Sequence, residues 1–237
     1  MLAILLLNAV LRQVAALKVG RRQWRFLMIA VVEKARFLWT FLRVAQDPNR
    51  LDLILKLTDG LDPTKHPEGR KMMARPEVRR GLEQGLKVPR IDLKALRALP
   101  EGTLGRAVAA FFDAQGFDPA VLFHTPMTAQ SDFQRFKQHM ERSHDIWHVV
   151  TGFGTDVPGE LGLQAFGIAQ LGSSLGYILL SAGMFHMISD STLGEPMMEE
   201  IIRGWRLGKS AKSLFGADWE ALFPLPLAEV RAMFGIA

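Results

Sequence analysis

The 237-residue chain contains no cysteine, so disulfide frameworks and thiolate metal sites are excluded. Apolar residues make up 49% of the sequence, which is enough to build a sizeable core in one domain. The net charge is +5, and the basic residues lack the aromatic interleaving and continuous stripe typical of nucleic-acid binding. We therefore expect no nucleic-acid partner. An anionic membrane surface or a phosphate-bearing lipid fits this charge better.

Residues 1–65 are predicted to form an N-terminal helical arm. No acidic residue precedes Glu33, and no basic region or cleavage site marks the apolar start as a signal peptide. Two interpretations of the first helix stay open: a basic amphipathic helix on a membrane surface, or an ordinary packing helix. Further helices are expected over residues 24–44 and 50–58.

The middle of the chain is predicted to alternate short helices with loops. A loop is expected at residues 62–69 because of its proline and glycine content, and a second one at 116–127. The basic residues between them are expected to form a solvated face, with a lipid-phosphate site as the alternative. Arg106 is expected either to form a salt bridge or to contact an acidic group of a substrate. Helices are predicted at residues 70–74, 76–84, 92–98 and 104–115, and the basic residues are Arg70, Lys71, Arg75, Arg79 and Arg80.

The strongest chemical signal is a pair of histidines near the end of a helix predicted over residues 131–150. His144 and His148 are four residues apart, so their imidazoles lie on one face of that helix. Asp145 follows the first histidine and can share the site if the helix end allows it. The next nine residues are rich in glycine and proline and must turn, after which Glu160 opens another helix.

Two imidazoles and two carboxylates around one turn are nitrogen and oxygen ligands suited to a divalent metal. We therefore predict a metal site formed by His144, Asp145, His148 and Glu160, between two adjoining helices. The ordinary alternative is a solvated histidine pair beside charges that suit a helix end and a helix start.

Residues 161–189 contain no charged side chain. Such a stretch would favour a transmembrane helix, but its five glycines and its polar residues weaken that interpretation. We expect a buried pair of helices broken near residues 172–176. The small residues would leave room for a long apolar guest, or alternatively would allow tight helix packing without a cavity. Another helix is expected up to residue 215, and a final one over 227–234; the first carries a basic row of Arg203, Arg206, Lys209 and Lys212.

Three stretches of the sequence resemble the coenzyme Q biosynthesis protein 4 family. The first is the metal motif, since the family carries His-Asp-x-x-His, eleven residues and then Glu, as between His144 and Glu160. The second is Leu-Pro-Glu-Gly-Thr-Leu-Gly-Arg at residues 99–106. The third combines Ala-Asp-Trp-Glu at 217–220 with Met-Phe-Gly-Ile at 233–236. The resemblance covers roughly residue 66 to the C-terminal end.

The expected fold is all-α: a multi-helix single domain over residues 66–237, with the N-terminal arm, a metal site between adjoining helices and an apolar lipid-binding region. The resemblance implies a role in ubiquinone biosynthesis. It implies removal of the C1 carboxyl of a polyprenylated 4-hydroxybenzoate, with or without linked hydroxylation. His144, Asp145, His148 and Glu160 would hold a divalent metal, zinc in the first place and otherwise iron or manganese, and the region 161–187 would take the polyprenyl tail.

The resemblance also implies partners and a location. The expected partners are the polyprenylated aromatic substrate, other ubiquinone-biosynthesis proteins and a membrane surface, and a homodimer is allowed. The expected location is peripheral, on the cytoplasmic face of a bacterial inner membrane, or alternatively on the matrix side of the mitochondrial inner membrane. Two other functions stay open, a non-catalytic prenyl-lipid scaffold and a metal-dependent hydrolase. No proton-transfer role is assigned to His124, His139 or His186.

Overall fold

The computed structural model describes residues 21–47, 50, 53–54, 57, 67–116, 118–119, 123, 131–189 and 191–236. In these ranges every regular element is helical, and the only β-type contact is one isolated bridge between Thr103 and Pro226. The all-α prediction is therefore confirmed. The first predicted helix, most of the helix at 50–58, and most of the two predicted loops lie outside the described residues.

The described ranges contain eleven α-helices and one short 3-10 helix, and most of the longer ones occur in the second half of the chain. In chain order they are α1 (Arg21–Gln46), α2 (Pro67–Met73), α3 (Pro76–Glu83), α4 (Leu93–Arg97), α5 (Leu104–Gln115), α6 (Asp132–Thr151), α7 (Val157–Leu171), α8 (Ser174–Ser189), the 3-10 helix (Ser191–Leu193), α9 (Gly194–Ser210), α10 (Trp219–Leu222) and α11 (Leu227–Phe234).

Two helix boundaries differ from the prediction for identifiable reasons. Helix α2 begins at Pro67, inside the predicted loop, because a proline fits the first helical position, where no N–H bond is needed. The helix predicted to continue to residue 215 ends at Ser210, and that prediction was wrong. The side chain of Gln170 accepts a hydrogen bond from the Leu214 amide and donates one to the Lys212 carbonyl. These bonds hold residues 212–214 out of the helix.

Helix α6 lies in the main hydrophobic core. Its residues Ile146 and Val150 are fully buried, together with Phe112 of α5 and Phe166 of α7. The Trp147 ring meets Phe166 edge-on, with ring centroids 5.7 Å apart. The tryptophan between His144 and His148 is therefore a packing residue.

Helices α7 and α9 cross with their backbones in contact. A Cβ atom added to Gly204 would overlap the carbonyl of Gly162, and one added to Gly208 would lie 2.7 Å from the Phe166 carbonyl oxygen. Glycine removes the side chain that would otherwise separate the two helices. This close crossing fixes the position of α7, which carries Glu160.

The uncharged stretch is divided between α7 and α8, as predicted. Gly172 ends α7 in the left-handed conformation (φ 62°), and α8 starts two residues later. The space beside Gly176 is filled by the side chain of Ile168, and the space beside Gly183 by that of Leu161. These contacts favour tight helix packing over a wide apolar cavity. The predicted site for a polyprenyl tail stays a prediction.

Helix α8 is buried on one side only, so the prediction of a fully buried helix pair was wrong for it. Ala182 packs with α1 residues Val44 and Ala45, whereas the opposite side exposes large apolar side chains. The helix is apolar all round, so its sequence did not indicate which face is covered. Its exposed residues are Tyr177, Met184, Phe185 and Ile188.

In the part of the chain that the structure describes, none of the helices has the length and apolar character needed to cross a bilayer.

Candidate metal centre

Helix α6 brings the two histidines onto one face near its C-terminal end. The helix begins after Ser131, whose hydroxyl accepts a hydrogen bond from the Gln134 amide, as an N-cap does. It ends at Gly152, which adopts the left-handed conformation (φ 74°). The rings of His144 and His148 are edge to face, with centroids 4.8 Å apart. The predicted i, i+4 arrangement is thus present.

The turn after α6 returns the chain so that Glu160 faces the histidines. Asp156 is the N-cap of α7, and its side chain accepts a hydrogen bond from the Gly159 amide. The position of a Cβ atom on Gly159 is occupied by the Gly154 carbonyl, so only glycine allows the turn to close this tightly. Glu160 lies in the first turn of α7, where the helix dipole favours a carboxylate.

Three of the four predicted ligands converge. Nε2 of His148 lies 3.1 Å from Oε1 of Glu160, and Nε2 of His144 lies 3.7 Å from Oε2 of the same carboxylate. One ligand atom of each residue lies within 4.8 Å of the others. The side chain of His148 is almost fully buried, while those of His144 and Glu160 are each a little over one-third exposed. This group could hold a metal ion.

Asp145 lies beside this group and contacts one of its histidines. Its Oδ1 is 3.2 Å from Nδ1 of His144, so the carboxylate can accept the proton on that nitrogen and direct Nε2 toward Glu160. Histidine ligands commonly donate their second ring N–H to a carboxylate or a carbonyl in this way. The structure thus gives Asp145 the position of an orienting residue. Its role as a direct ligand stays a prediction.

His148 is oriented by the main chain. Its Nδ1 lies 3.1 Å from the carbonyl oxygen of Phe153, and because a carbonyl only accepts, Nδ1 carries the proton. Nε2 then presents its lone pair. This buried atom lies 3.1 Å from the Glu160 carboxylate. A lone pair and a carboxylate this close repel each other unless a proton or a metal cation lies between them.

The charges of the group shift two pKa values in opposite directions. Desolvation alone would lower the pKa of His144, but its hydrogen bond to Asp145 and the charges of Glu160 and Asp145 raise it to about 9. Burial would raise the pKa of the Glu160 carboxyl, yet the neighbouring imidazoles of His148 and His144 lower it below its usual value. The site therefore favours a positive charge next to an ionised carboxylate.

Phe111 belongs to the surroundings of the site and was not found by sequence reasoning. Its ring, on α5, is stacked on the His148 imidazole with centroids 5.6 Å apart and an interplanar angle of 21°. No local motif in the sequence marks this residue as a neighbour of His148. Only the packing of α5 on α6 brings the two rings together.

The other residues singled out from the sequence lie in ordinary surroundings. Arg106 donates a hydrogen bond to the main-chain carbonyl of Arg97, and its contact with a substrate stays a prediction. His139 is fully buried, with both ring nitrogens beside main-chain groups. His186 lies half-buried on α8, and His124 is outside the described residues.

Comparison with known proteins shows the family of the chain and agrees with its fold. Residues 37–237 match the model of the family "Coenzyme Q (ubiquinone) biosynthesis protein Coq4". The chain belongs to the Coq4 family. The match begins upstream of residue 66, where the sequence resemblance was placed. A crystal structure of a protein from Nostoc punctiforme, described as a ubiquinone biosynthesis protein, superposes with a TM-score of 0.71 at 30% identity, covering 86% of this chain and 98% of that one.

Curated relatives share less of their length with this chain. The ubiquinone biosynthesis protein COQ4, mitochondrial, of Laccaria bicolor is 29% identical over 80% of this chain and 65% of its own length. The protein of the same name from Pyricularia oryzae is 27% identical, over 84% and 65%. The corresponding protein of Aspergillus flavus is 28% identical, over 62% and 50%. The chain thus spans about half to two-thirds of the length of these relatives.

Proposed function

We propose that this protein acts in ubiquinone biosynthesis as a metal-dependent enzyme that removes the C1 carboxyl of a polyprenylated 4-hydroxybenzoate. The observation that carries the metal site is the convergence of His144, His148 and Glu160, in which Nε2 of the buried His148 lies 3.1 Å from the Glu160 carboxylate. Membership of the Coq4 family supports the pathway. The relatives are named mitochondrial, which supports the inner mitochondrial membrane as a location beside the bacterial alternative.

The donor set fits a divalent cation. His144, His148 and Glu160 would supply two nitrogens and one carboxylate, a set suited to zinc, iron(II) or manganese, and zinc is the first choice. Three protein ligands leave a coordination position for a substrate oxygen, as catalytic zinc sites do. Asp145 and the Phe153 carbonyl would hold the Nδ1 side of each ring and so direct both Nε2 atoms at the cation.

The chemistry is a replacement of the carboxyl group by hydrogen. The bond between C1 and the carboxyl carbon breaks, CO2 leaves, and the electron pair on C1 takes up a proton from solvent. A bound cation would act as a Lewis acid that stabilises charge developing on a ring or carboxyl oxygen. The substrate would lie beside the partly exposed edge formed by His144 and Glu160, while His148 and Phe111 close the buried side.

The test is a decarboxylation assay with the purified protein, loaded in turn with zinc, iron(II) and manganese. A prenylated 4-hydroxybenzoate labelled in its carboxyl carbon is supplied in detergent, and labelled CO2 and the ring product are measured with and without dioxygen. We expect metal-dependent release in the wild type and loss of release in His148→Ala and Glu160→Gln. Retained release in His148→Ala protein would contradict catalysis through this site.

The matched control is Glu199→Gln, which changes an exposed glutamate on α9 and should leave release unchanged. Asp145→Asn separates the two roles of that residue. If Asp145 orients His144, this variant keeps one metal per chain but binds it more weakly, by roughly 10- to 100-fold. Complete loss of metal would instead assign it as a direct ligand.

A second candidate function, a non-catalytic prenyl-lipid scaffold for other ubiquinone-biosynthesis proteins, is favoured by exposed apolar side chains. Helix α9 exposes Met198, Ile202 and Trp205, in addition to the exposed face of α8. Large exposed apolar patches typically bind proteins or membranes. Restoration of quinone synthesis by His148→Ala protein, in a cell lacking the homologue, would support the scaffold over the enzyme.

A further inference from the structure

Arg231 of α11 contacts the C-terminal end of the helix that carries both histidines. Its Nε donates a hydrogen bond to the carbonyl oxygen of Val150 at 2.9 Å, and one of its terminal nitrogens donates to the carbonyl oxygen of Val149 at 3.0 Å. The last carbonyls of an α-helix have no partner within the helix, and a cation there also complements the helix dipole. Arg231 therefore provides two bonds that the final turn of α6 cannot make for itself.

In the sequence, the two carbonyls bound by Arg231 lie between His148 and Phe153, whose carbonyl orients the His148 ring. Val149 and Val150 directly follow His148, and Phe153, whose carbonyl accepts the Nδ1 proton of His148, comes three residues later. If the final turn frays, the Phe153 carbonyl shifts relative to the imidazole. The ring then loses the bond that keeps the proton on Nδ1 and leaves Nε2 free to bind a cation.

Helix α11 is held firmly enough to serve as a support for Arg231. Its fully buried Val230 belongs to the main core. At its start, the amide of Leu227 donates to the Gly102 carbonyl; after its end, the amide of Ile236 donates to the Arg231 carbonyl. The guanidinium is thus supplied from an element that is anchored in the core by Val230 and bonded to the Gly102 carbonyl.

From these contacts we infer that Arg231 is a positioning residue of the metal centre, acting through the last turn of α6 on the proton position and orientation of His148. The inference rests on the proposed metal site, but it concerns a residue that touches neither the ligands nor the substrate. It predicts that loss of the guanidinium weakens metal binding by roughly 10- to 100-fold, as loss of a partner of a metal ligand does. The protein should otherwise remain folded, because the core side chain of α11 is Val230.

The experiment compares wild type with Arg231→Met and Arg231→Lys. Arg231→Met keeps the aliphatic length and removes the donors, while Arg231→Lys keeps the charge and can reach one carbonyl. Metal affinity is measured by competition with a chelator, on samples whose folded fraction is known from circular dichroism. We expect the weakest binding in Arg231→Met and partial recovery in Arg231→Lys. Equal affinity in wild type and folded Arg231→Met would overturn the inference.

A second readout follows the His148 tautomer in metal-free protein. Nitrogen-15 NMR distinguishes Nδ1–H from Nε2–H imidazole, and we expect the Nδ1–H form in wild type and a mixture in Arg231→Met. An unchanged tautomer would overturn the inference even if the variant were less stable. Because this readout needs no metal, it separates failure of the inference from failure of the proposed function, which would appear as a wild type that binds no metal.

The matched control is Glu220→Gln, which weakens another long-range contact away from the centre. Oε1 of Glu220 accepts a hydrogen bond from the Arg90 amide, and the uncharged oxygen of glutamine accepts the same bond more weakly, so stability falls without a change in contacts to α6. We expect metal affinity and the His148 tautomer to be unchanged in this variant. If metal affinity fell equally in Glu220→Gln and Arg231→Met, the effect would be general destabilisation and the inference would be wrong.

Discussion

Helix α6 buries two histidines, His139 near its middle and His148 near its C-terminal end, and their surroundings differ. Nδ1 of His139 lies 2.7 Å from the Lys87 carbonyl, and Nδ1 of His148 lies 3.1 Å from the Phe153 carbonyl. The difference is at Nε2. In His139 this atom accepts a hydrogen bond from the Gly216 amide, whereas in His148 it faces a carboxylate. A buried histidine is thus structural when both nitrogens have matching partners, and a candidate ligand when one nitrogen meets another acceptor.

The largest expected effect comes from replacing each histidine by alanine. His148→Ala removes a ligand and should lower metal affinity by more than about 100-fold, since even the loss of a partner of a ligand costs roughly 10- to 100-fold. His139→Ala should keep one metal per chain in the folded fraction. The measurement is metal content and chelator competition on both variants. A folded His139→Ala protein that had lost its metal would contradict the comparison.

The second-largest expected effect is a pH dependence of stability caused by His139. Burial lowers the pKa of His139 to about 4 from 6.5, although the hydrogen bond to the Lys87 carbonyl opposes the shift. Between these two pH values His139 is therefore protonated in the unfolded state but neutral in the folded state. Above pH 6.5 the ring is neutral in both states and does not affect the free energy of unfolding. As the pH falls toward 4, protonation favours the unfolded state, and the free energy of unfolding decreases by up to about 3 kcal/mol from the size of the shift.

Urea unfolding of metal-free protein at several pH values between 7.5 and 4.5 measures this effect. The quantity of interest is the difference in unfolding free energy between wild type and His139→Gln, because other titrating groups cancel in that difference. We expect the advantage of the wild type to shrink as the pH falls. A difference that stayed constant over this range would mean that His139 is not held neutral by its surroundings.

A smaller effect is expected at the glycine crossing that positions Glu160. Gly204→Ala forces α9 away from the Gly162 carbonyl, which should cost about 1–3 kcal/mol of stability, as overpacking does. Because α7 carries Glu160, metal affinity should fall together with stability, while the contacts of His139, two turns before His148 on α6, stay in place. Gly194→Ala is the control, since the nearest atom to its added Cβ is the Met187 sulfur at 3.9 Å. Thermal unfolding measures the stability of the two variants, and chelator competition measures their metal affinity.

The parts of the site that could be predicted are those written into local spacing. The i, i+4 pair of His144 and His148 and the glycine-rich turn before Glu160 determine their own geometry. The position of Asp145 at the side of His144 could not be predicted, because the spacing did not show which way the helix end presents that carboxylate. His139 carried no motif at all, since its partners, the Lys87 carbonyl and the Gly216 amide, come from distant parts of the chain.

Most helices were predicted, whereas tertiary contacts decided some of their ends and faces. Nothing near residue 210 in the sequence stops α9; Gln170, some 40 positions upstream, does so by binding residues 212 and 214. The exposed face of α8 was equally unpredictable, because a helix that is apolar all round has no periodicity to show which side meets α1. Phe111 and Arg231 reach the site only through the packing of α5 and α11.

The bonds between the C-terminal segment and α5 also have a consequence for biosynthesis of the protein. The amides of Leu104 and Gly105 donate to the carbonyls of Leu225 and Phe223, which are translated after all three convergent ligands. A nascent chain that has already produced Glu160 therefore still lacks the segment that supports α5 and supplies Arg231. The three ligand residues are therefore synthesised before the segment that positions them. We expect the metal centre to reach its final geometry only after the segment up to residue 236 has left the ribosome.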